Sequence, residues 1–348
     1  MRILSVGTYK GLSNTCLHRH WALSQIADEI DAVDTAMNPF SFKSRIVYHL
    51  FLHNMKIRMP ENNDENNKIK KNIIQKKYDL LWIDKGVTIF PETLLYVKEK
   101  SPNTTIISYS PDNMALRHNQ SQQYLECIPL YDYIVTNKSY IIDDMKRLGA
   151  SNMIFVNNSY EPTFHYQRVL SDVDKNEFGS DVGFIGVFEK ERWESILYLV
   201  DHGIHVKIFG DKKWQKYKKY NKFITVENHE LMGEDYCKAL EAFKIALCFL
   251  RKKNYDTQTT RTVEIPACGG FLLAERTEEQ KKMFKENEEA VYFSSNAELL
   301  HKCIYYLGHE SERKKIVEAG HNRCITSGYS NIEMIKKVLE KVRKYSNE

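Results

Sequence analysis

Short apolar runs recur along this chain, and each gives way to a polar or glycine-bearing tip. Residues 2–6 lead into Gly7-Thr-Tyr-Lys-Gly11, 78–83 into Asp84-Lys85-Gly86, and 104–109 into Ser110-Pro-Asp112-Asn113. Residues 131–136 lead into Asn137-Lys138, and 153–156 into Asn157-Asn-Ser159. Runs of this length read as buried strands. Helical spacing falls between them. Apolar residues at 17, 21, 23, 26, 27 and 30 predict a helix over 17–30, and Pro91 opens another over 91–100. Strand and helix in alternation make a parallel sheet, whose ligands sit beyond the carboxyl ends of the strands. The polar tips are therefore the candidate ligand surface, with Lys85 and Asp112 singled out. Either side chain could equally cap its own loop.

The alternation pauses over 160–179, a polar stretch with Pro162 and no clear period, and then restarts. Strands are expected at 181–185, 205–209, 224–226, 245–250, 271–274 and 290–293, with helices over 233–243, 278–285 and 296–307. Two such blocks imply an α/β protein of two doubly wound, Rossmann-like domains, which suits 348 residues. The expected division is 1–165 and 166–330, followed by a basic helix from 331.

Charge and cysteine content narrow the function. A net charge of +4 permits an anionic ligand or an acidic membrane surface but does not argue for nucleic acid, and no nucleic-acid motif is visible. The seven cysteines are odd in number and scattered, without a CxxC pair, as buried thiols of a reducing compartment would be. No His/Cys cluster has metal-binding spacing. The chain opens directly on a strand and holds no apolar stretch of ~20 residues, so a cytoplasmic location is expected.

The most informative stretch is Asp256-TQTTRTVEIPACGGFLLA-Glu275. Thr257, Thr259, Thr260 and Arg261 offer hydroxyls and a forked cation, donors suited to a phosphate. Gly269-Gly270 then releases the chain into an apolar strand. The pair could present backbone N–H groups to an anion or could close a helix. Farther back, Gly186-Val-Phe-Glu-Lys190-Glu-Arg192 follows the first strand of the second block and sets two cations just ahead of a helix, again suited to an anion. The alternating Glu189 and Glu191 also fit a solvated helix start.

The segment Glu264-Ile-Pro-Ala-Cys-Gly-Gly resembles the E-A-x-A-C-G segment of retaining, group-1 GT-B glycosyltransferases. The wording TRTVEIPACGGFLLAE is most similar to the spore-maturation, CgeB-like branch. The resemblance is specific from about 181 to 324. It implies the GT-B fold, two Rossmann-like domains facing a cleft, with the first on the acceptor side and the second holding a nucleotide-diphosphate sugar. It also implies that helix 331–348 crosses back onto the first domain. Glu264 would hold the ribose. Asp256, standing where many members have Glu, would lie near the donor sugar. Arg261, Lys190, Arg192, Gly186, Gly269 and Thr260 would serve the donor, and Gly11 would lie near the diphosphate or acceptor. Asp112 is the candidate base if the reaction inverts. No permanently bound cofactor and no metal are expected. The implied role is sugar transfer to a glycan or lipid-linked acceptor in cell-surface polysaccharide synthesis. A non-catalytic sugar-nucleotide-binding protein of envelope or spore-coat assembly and a nucleotide-sugar epimerase are the alternatives.

Two basic runs stand apart. Residues 40–59 mix Phe40, Phe42, Ile46 and Phe51 with Lys43, Arg45, Lys56 and Arg58. This reads as an amphipathic helix that either packs on the sheet or makes weak peripheral contact with an anionic membrane, at the inner face of the plasma membrane. Lys212-Lys-Trp-Gln-Lys-Tyr-Lys-Lys-Tyr-Asn-Lys222 reads as an exposed basic loop or helix.

Overall fold

A computed structural model describes residues 1–36, 42–227 and 229–345. The chain forms two compact units. The first is residues 1–157 with 331–348, and the second is residues 158–330.

The first unit holds β1 (Arg2–Gly7), β2 (Glu29–Asp34), β3 (Leu80–Asp84), β4 (Thr105–Ser110), β5 (Tyr133–Thr136) and β6 (Met153–Phe155). Its helices begin with α1 (Thr15–Ile26), α2 (Phe42–Leu52), α3 (Glu65–Gln75), α4 (Pro91–Lys100), α5 (Gln122–Cys127) and α6 (Ile142–Arg147). The six strands pair in parallel in the order β2-β1-β3-β4-β5-β6. β3 is buried along its whole length, as a central strand covered on both faces must be. Asn14 starts α1 by accepting from the Cys16 N–H at 3.0 Å.

The second unit holds β7 (Ser180–Ile185), β8 (Val206–Phe209), β9 (Ile224–Glu227), β10 (Phe243–Cys248), β11 (Leu272–Glu275) and β12 (Val291–Phe293). Its helices are α7 (Asp172–Phe178), α8 (Lys190–Asp201), α9 (Gly233–Ala242), α10 (Arg261–Ala267), α11 (Glu278–Met283), α12 (Asn296–Gly308) and α13 (Glu310–Thr326). This sheet is also parallel, in the order β12-β11-β10-β7-β8-β9. Last comes α14 (Asn331–Tyr345), which returns to the first unit. It buries Met334, Ile335, Val338 and Val342 with Ala22 and Leu23 of α1 and with Trp82 and Tyr133.

The structure differs from the sequence reading in four places. The helix expected over 17–30 stops at Ile26, and Glu29–Asp34 becomes the edge strand β2. Ile30 fits the helical spacing, but tertiary pairing with β1 decides its state. The polar stretch 160–179 contains α7, started by a capping box in which Ser171 and Asp174 satisfy each other's backbone N–H groups. The basic helix expected over 40–59 is α2 and ends at Leu52. Phe40 lies outside the described residues.

Gly269 is the fourth. It sits at φ +75° just past α10, and its N–H donates to Pro266 O at 3.0 Å. The Gly270 N–H donates to Ile265 O at 2.9 Å. This is a Schellman cap, so both N–H groups are spent on the helix's own carbonyls and not offered to an anion.

Candidate functional site

In the second sheet β7 is flanked by β8 on one side and β10 on the other, so the strand order reverses between β7 and β10. The crevice at the carboxyl ends of these two strands is where a doubly wound sheet takes its ligand. Four segments supply it: the Gly186–Glu189 turn, the start of α8, the chain after β10, and the start of α10.

Gly186 makes the turn possible by being small. Its N–H donates to Phe209 O at 2.9 Å, and its carbonyl accepts from Trp214 Nε1 at 2.9 Å. A Cβ there would lie 2.8 Å from the Phe184 ring. The Phe188 N–H is held by Asp211 Oδ1 at 2.9 Å. Glu189 then presents its carboxylate to two arginines, Arg251 Nε at 3.1 Å and Arg192 Nη2 at 3.6 Å.

Arg192 is buried, with Nη1 donating to Val187 O at 3.0 Å, while its Nε has no partner among the described residues. Burial pulls this guanidinium below its ordinary pKa. Glu189 opposes that, and Arg261 and Arg251 push further down. The Arg261 Nε also has no partner among the described residues. Burial by itself would lower Arg261, but the Tyr236 phenol and the Glu264 carboxylate more than offset it. Arg192 and Arg251 thus share the Glu189 carboxylate, Arg261 stands close enough to act on Arg192, and two buried N–H donors are left over. Buried donors are nearly always paired in folded proteins. The charge and the orphan donors together fit an anion with several acceptor oxygens, as a diphosphate has.

Glu264 lies one turn into α10 and is buried. Tyr236 donates to its Oε2 at 2.5 Å, and His165 Nε2 stands 3.7 Å from Oε1. His165 Nδ1 accepts from the Glu161 N–H at 3.1 Å, which leaves the ring proton on Nε2, facing the carboxylate. Burial and then the Glu264 charge raise the Tyr236 phenol well above its ordinary value, so it remains a donor. Thr260 caps α10 through its backbone, its carbonyl accepting from the Glu264 N–H at 2.9 Å. Asp256 is half-buried, and its N–H donates to Arg251 O at 3.2 Å.

Lys190 points elsewhere. Its side chain is 81% exposed, and its ammonium lies 3.5 Å from Glu194 on the outer face of α8.

The first unit has its own reversal, between β1 and β3. A cavity of about 460 Å³ opens there, lined by Thr8, Lys10, Tyr48, Lys85 and His118 among others. Its floor includes Asp84, held in a buried pair with Arg19 at 2.6 Å. Lys85 sits in the left-handed region at φ +64° and binds Asp112 Oδ2 at 2.6 Å. Asp112 is therefore committed to a cation. Gly11 is exposed in the β1–α1 loop at φ +88°.

Of the residues picked from sequence, Gly186, Arg192, Arg261 and Glu264 gather around the second reversal. Arg251, Tyr236 and His165 were missed there, and Arg19 and Asp84 at the first. Arg251 could have been found, because it follows a predicted strand directly.

Residues 192–340 match the family model described as "Glycosyl transferase-like". No curated protein matches the sequence significantly. Solved structures with similar folds include Anabaena HepE in complex with UDP-glucose, at 11% identity and TM-score 0.63, covering 99% of this chain and 100% of that one. Sucrose-phosphate synthase from Thermosynechococcus elongatus is 8% identical at TM-score 0.68, with 100% of each chain covered. A putative UDP-N-acetylglucosamine 2-epimerase from Listeria monocytogenes is 10% identical at TM-score 0.56, covering 99% of this chain and 96% of that one. The two parallel sheets with their interleaved helices are thus those of a GT-B fold, and a glycosyl transferase-like family match spans most of the second.

Proposed function

We propose that this protein is a glycosyltransferase that takes a nucleotide-diphosphate sugar at the β7/β10 reversal. The observation that carries the reading is the pair of unpartnered, positively charged Nε donors of Arg192 and Arg261 at that position. Arg192, Arg251 and Arg261 hold the diphosphate, and Glu264 accepts from the ribose hydroxyls. The arginines neutralise the leaving diphosphate as its charge develops, an electrostatic route to departure that works without a metal. Asp256 lies near the donor sugar. The wording of the α10 segment supports the retaining, CgeB-like branch, in which no protein base is required. The HepE complex with UDP-glucose supports a uridine nucleotide as donor.

The acceptor is a glycan or lipid-linked sugar of cell-surface synthesis, taken by the cavity of the first unit. On α2, Phe42 and Ile46 are exposed beside Lys43 and Arg45, which supports weak contact with an anionic membrane at its cytoplasmic face.

A thermal-shift screen against UDP, GDP, ADP and their sugars tests the donor reading. A ligand at ~100 times its dissociation constant stabilises by about 2.7 kcal/mol. Arg261→Met abolishes the shift and leaves the unliganded protein folded. If no nucleotide shifts the protein, or if Arg261→Met shifts as the parent does, the site is misassigned. The likeness to the epimerase favours a second reading on the same site. Incubation with donor alone separates the two, since a transferase hydrolyses it slowly and an epimerase returns the altered sugar.

A further inference from the structure

We propose that the lysine-rich turn between β8 and β9 is a docking surface for an anionic phospholipid bilayer. This goes beyond the donor reading and does not depend on it.

The turn leaves the carboxyl end of β8, forms a short 3₁₀ helix at Lys212–Tyr217 and returns as β9. It is anchored from within. Trp214 is fully buried and donates to Gly186 O. Tyr217 stacks on Trp193 with ring centroids 3.7 Å apart and on Phe188 at 5.7 Å. On this base Lys212, Lys213, Lys216, Lys218, Lys219 and Lys222 are all exposed, and among the described residues none of them forms an ion pair. The acids that touch the turn are engaged: Asp211 holds the Phe188 N–H, and Asp201 faces the Tyr220 hydroxyl at 3.5 Å. The whole chain nets only +4, so these six lysines outweigh it and the remaining residues sum to −2.

The chemistry selects the partner. Lysine ammoniums are compact, hydrated charges on flexible stems, which respond to a diffuse negative potential. They lack the fork that recognises one phosphate bidentately. Tyr220, 48% exposed, adds the amphipathic ring favoured at a headgroup boundary. A single-stranded nucleic acid would need open aromatic faces for its bases. Here the rings of Trp193, Phe188 and Tyr217 are stacked on one another, and Lys216 covers Phe188 and Tyr217 at 4.5 and 4.7 Å. Phe188 belongs to the turn that carries Glu189, so a bilayer at this surface lies beside the arginine cluster of the same unit.

Co-sedimentation of the full chain with vesicles of phosphatidylcholine, with and without phosphatidylserine, tests this. Binding is expected only to the anionic vesicles and is lost at high salt. The combined variant Lys212→Gln/Lys213→Gln/Lys218→Gln/Lys219→Gln leaves the packed Lys216 in place. At about fivefold per lysine near the surface, it lowers partitioning on the order of several hundredfold. Its melting curve and nucleotide shifts stay at the parent's values, which separates failure of docking from failure of the donor reading. Equal binding to both vesicle types, binding to neither, or binding unchanged in the variant overturns the proposal. So does binding abolished by Lys43→Gln/Arg45→Gln but kept in the lysine variant, or tighter binding to polyphosphate or single-stranded DNA than to the vesicles.

Discussion

Removing the Asp84 carboxylate should destabilise the first unit strongly. Asp84 Oδ1 accepts from Arg19 Nε at 2.8 Å and lies 2.6 Å from Arg19 Nη2, and Oδ2 accepts from Trp82 Nε1 at 3.1 Å. The Arg19 and Asp84 side chains are 5% and 4% exposed, and the guanidinium also lies over the Tyr109 ring at 4.2 Å. Burial by itself would lower the Arg19 pKa, and Asp84 is the main influence that raises it above its ordinary value. Asp84→Ala leaves that buried charge without its partner. Breaking one side of a buried pair costs about 3–5 kcal/mol. For a domain of 150–250 residues each kcal/mol moves the melting temperature by about 2–4 °C, so the first unit's transition should fall by roughly 6–20 °C. Arg19→Met/Asp84→Ala, which strands no charge, should lose less than Asp84→Ala alone. Calorimetry or far-UV circular dichroism measures all three proteins. If Asp84→Ala melts within about 1 kcal/mol of the parent, or the double variant is the worse of the two, the pair does not have the weight its burial assigns it.

Glu264→Gln should weaken nucleotide-sugar binding by about 1–3 kcal/mol, since an amide replaces a charge-assisted acceptor only in part. Titration calorimetry that shows unchanged affinity beside a lowered melting temperature would make Glu264 a structural carboxylate serving Tyr236 and His165. Transferase activity should be retained in EDTA, because three arginines supply the positive charge. Loss in EDTA and rescue by Mg²⁺ or Mn²⁺ would refute that. Glu298 is held at about 2 chiefly by its hydrogen bonds to Arg276. A depressed carboxylate stabilises the fold above its unfolded value and loses that contribution as pH falls through its folded one. The deficit of Glu298→Gln should therefore be full at neutral pH and shrink between about pH 4.5 and 2. A deficit that does not vary with pH would show that the interaction is not one of charge.

The sheets were legible because buried parallel strands are continuous apolar runs, and β3, β4, β7, β10 and β11 all announce themselves in that way. β2 did not, because an acidic edge strand is held by its register with β1 and not by its own composition. The Schellman cap at Gly269 shows a different limit. A glycine pair reads alike whether its N–H groups face a ligand or close a helix, and only the carbonyls of Ile265 and Pro266 decide. Arg192 was visible from its place ahead of a predicted helix, Arg261 from the hydroxyl-rich run that leads into it, and Glu264 from the resemblance of its segment to E-A-x-A-C-G. The network around Glu264 was not, since Tyr236 and His165 come from distant segments and nothing local marks them. Asp84 was read as part of a polar tip, and its partner Arg19 hides in the middle of α1.

The return of α14 to the first unit sets an order on biosynthesis. The six strands of that unit have all been synthesised by residue 155. The helix that covers Ala22, Leu23, Trp82 and Tyr133 follows only after the whole of residues 158–330. At ~5–20 residues per second the nascent first unit waits on the order of ten seconds or more with that apolar face uncovered. The second unit is contiguous, and all of its residues precede that helix. The first part of the chain to be translated is thus the last to reach its native packing, and a ribosome stalled anywhere before residue 331 holds it open to chaperones.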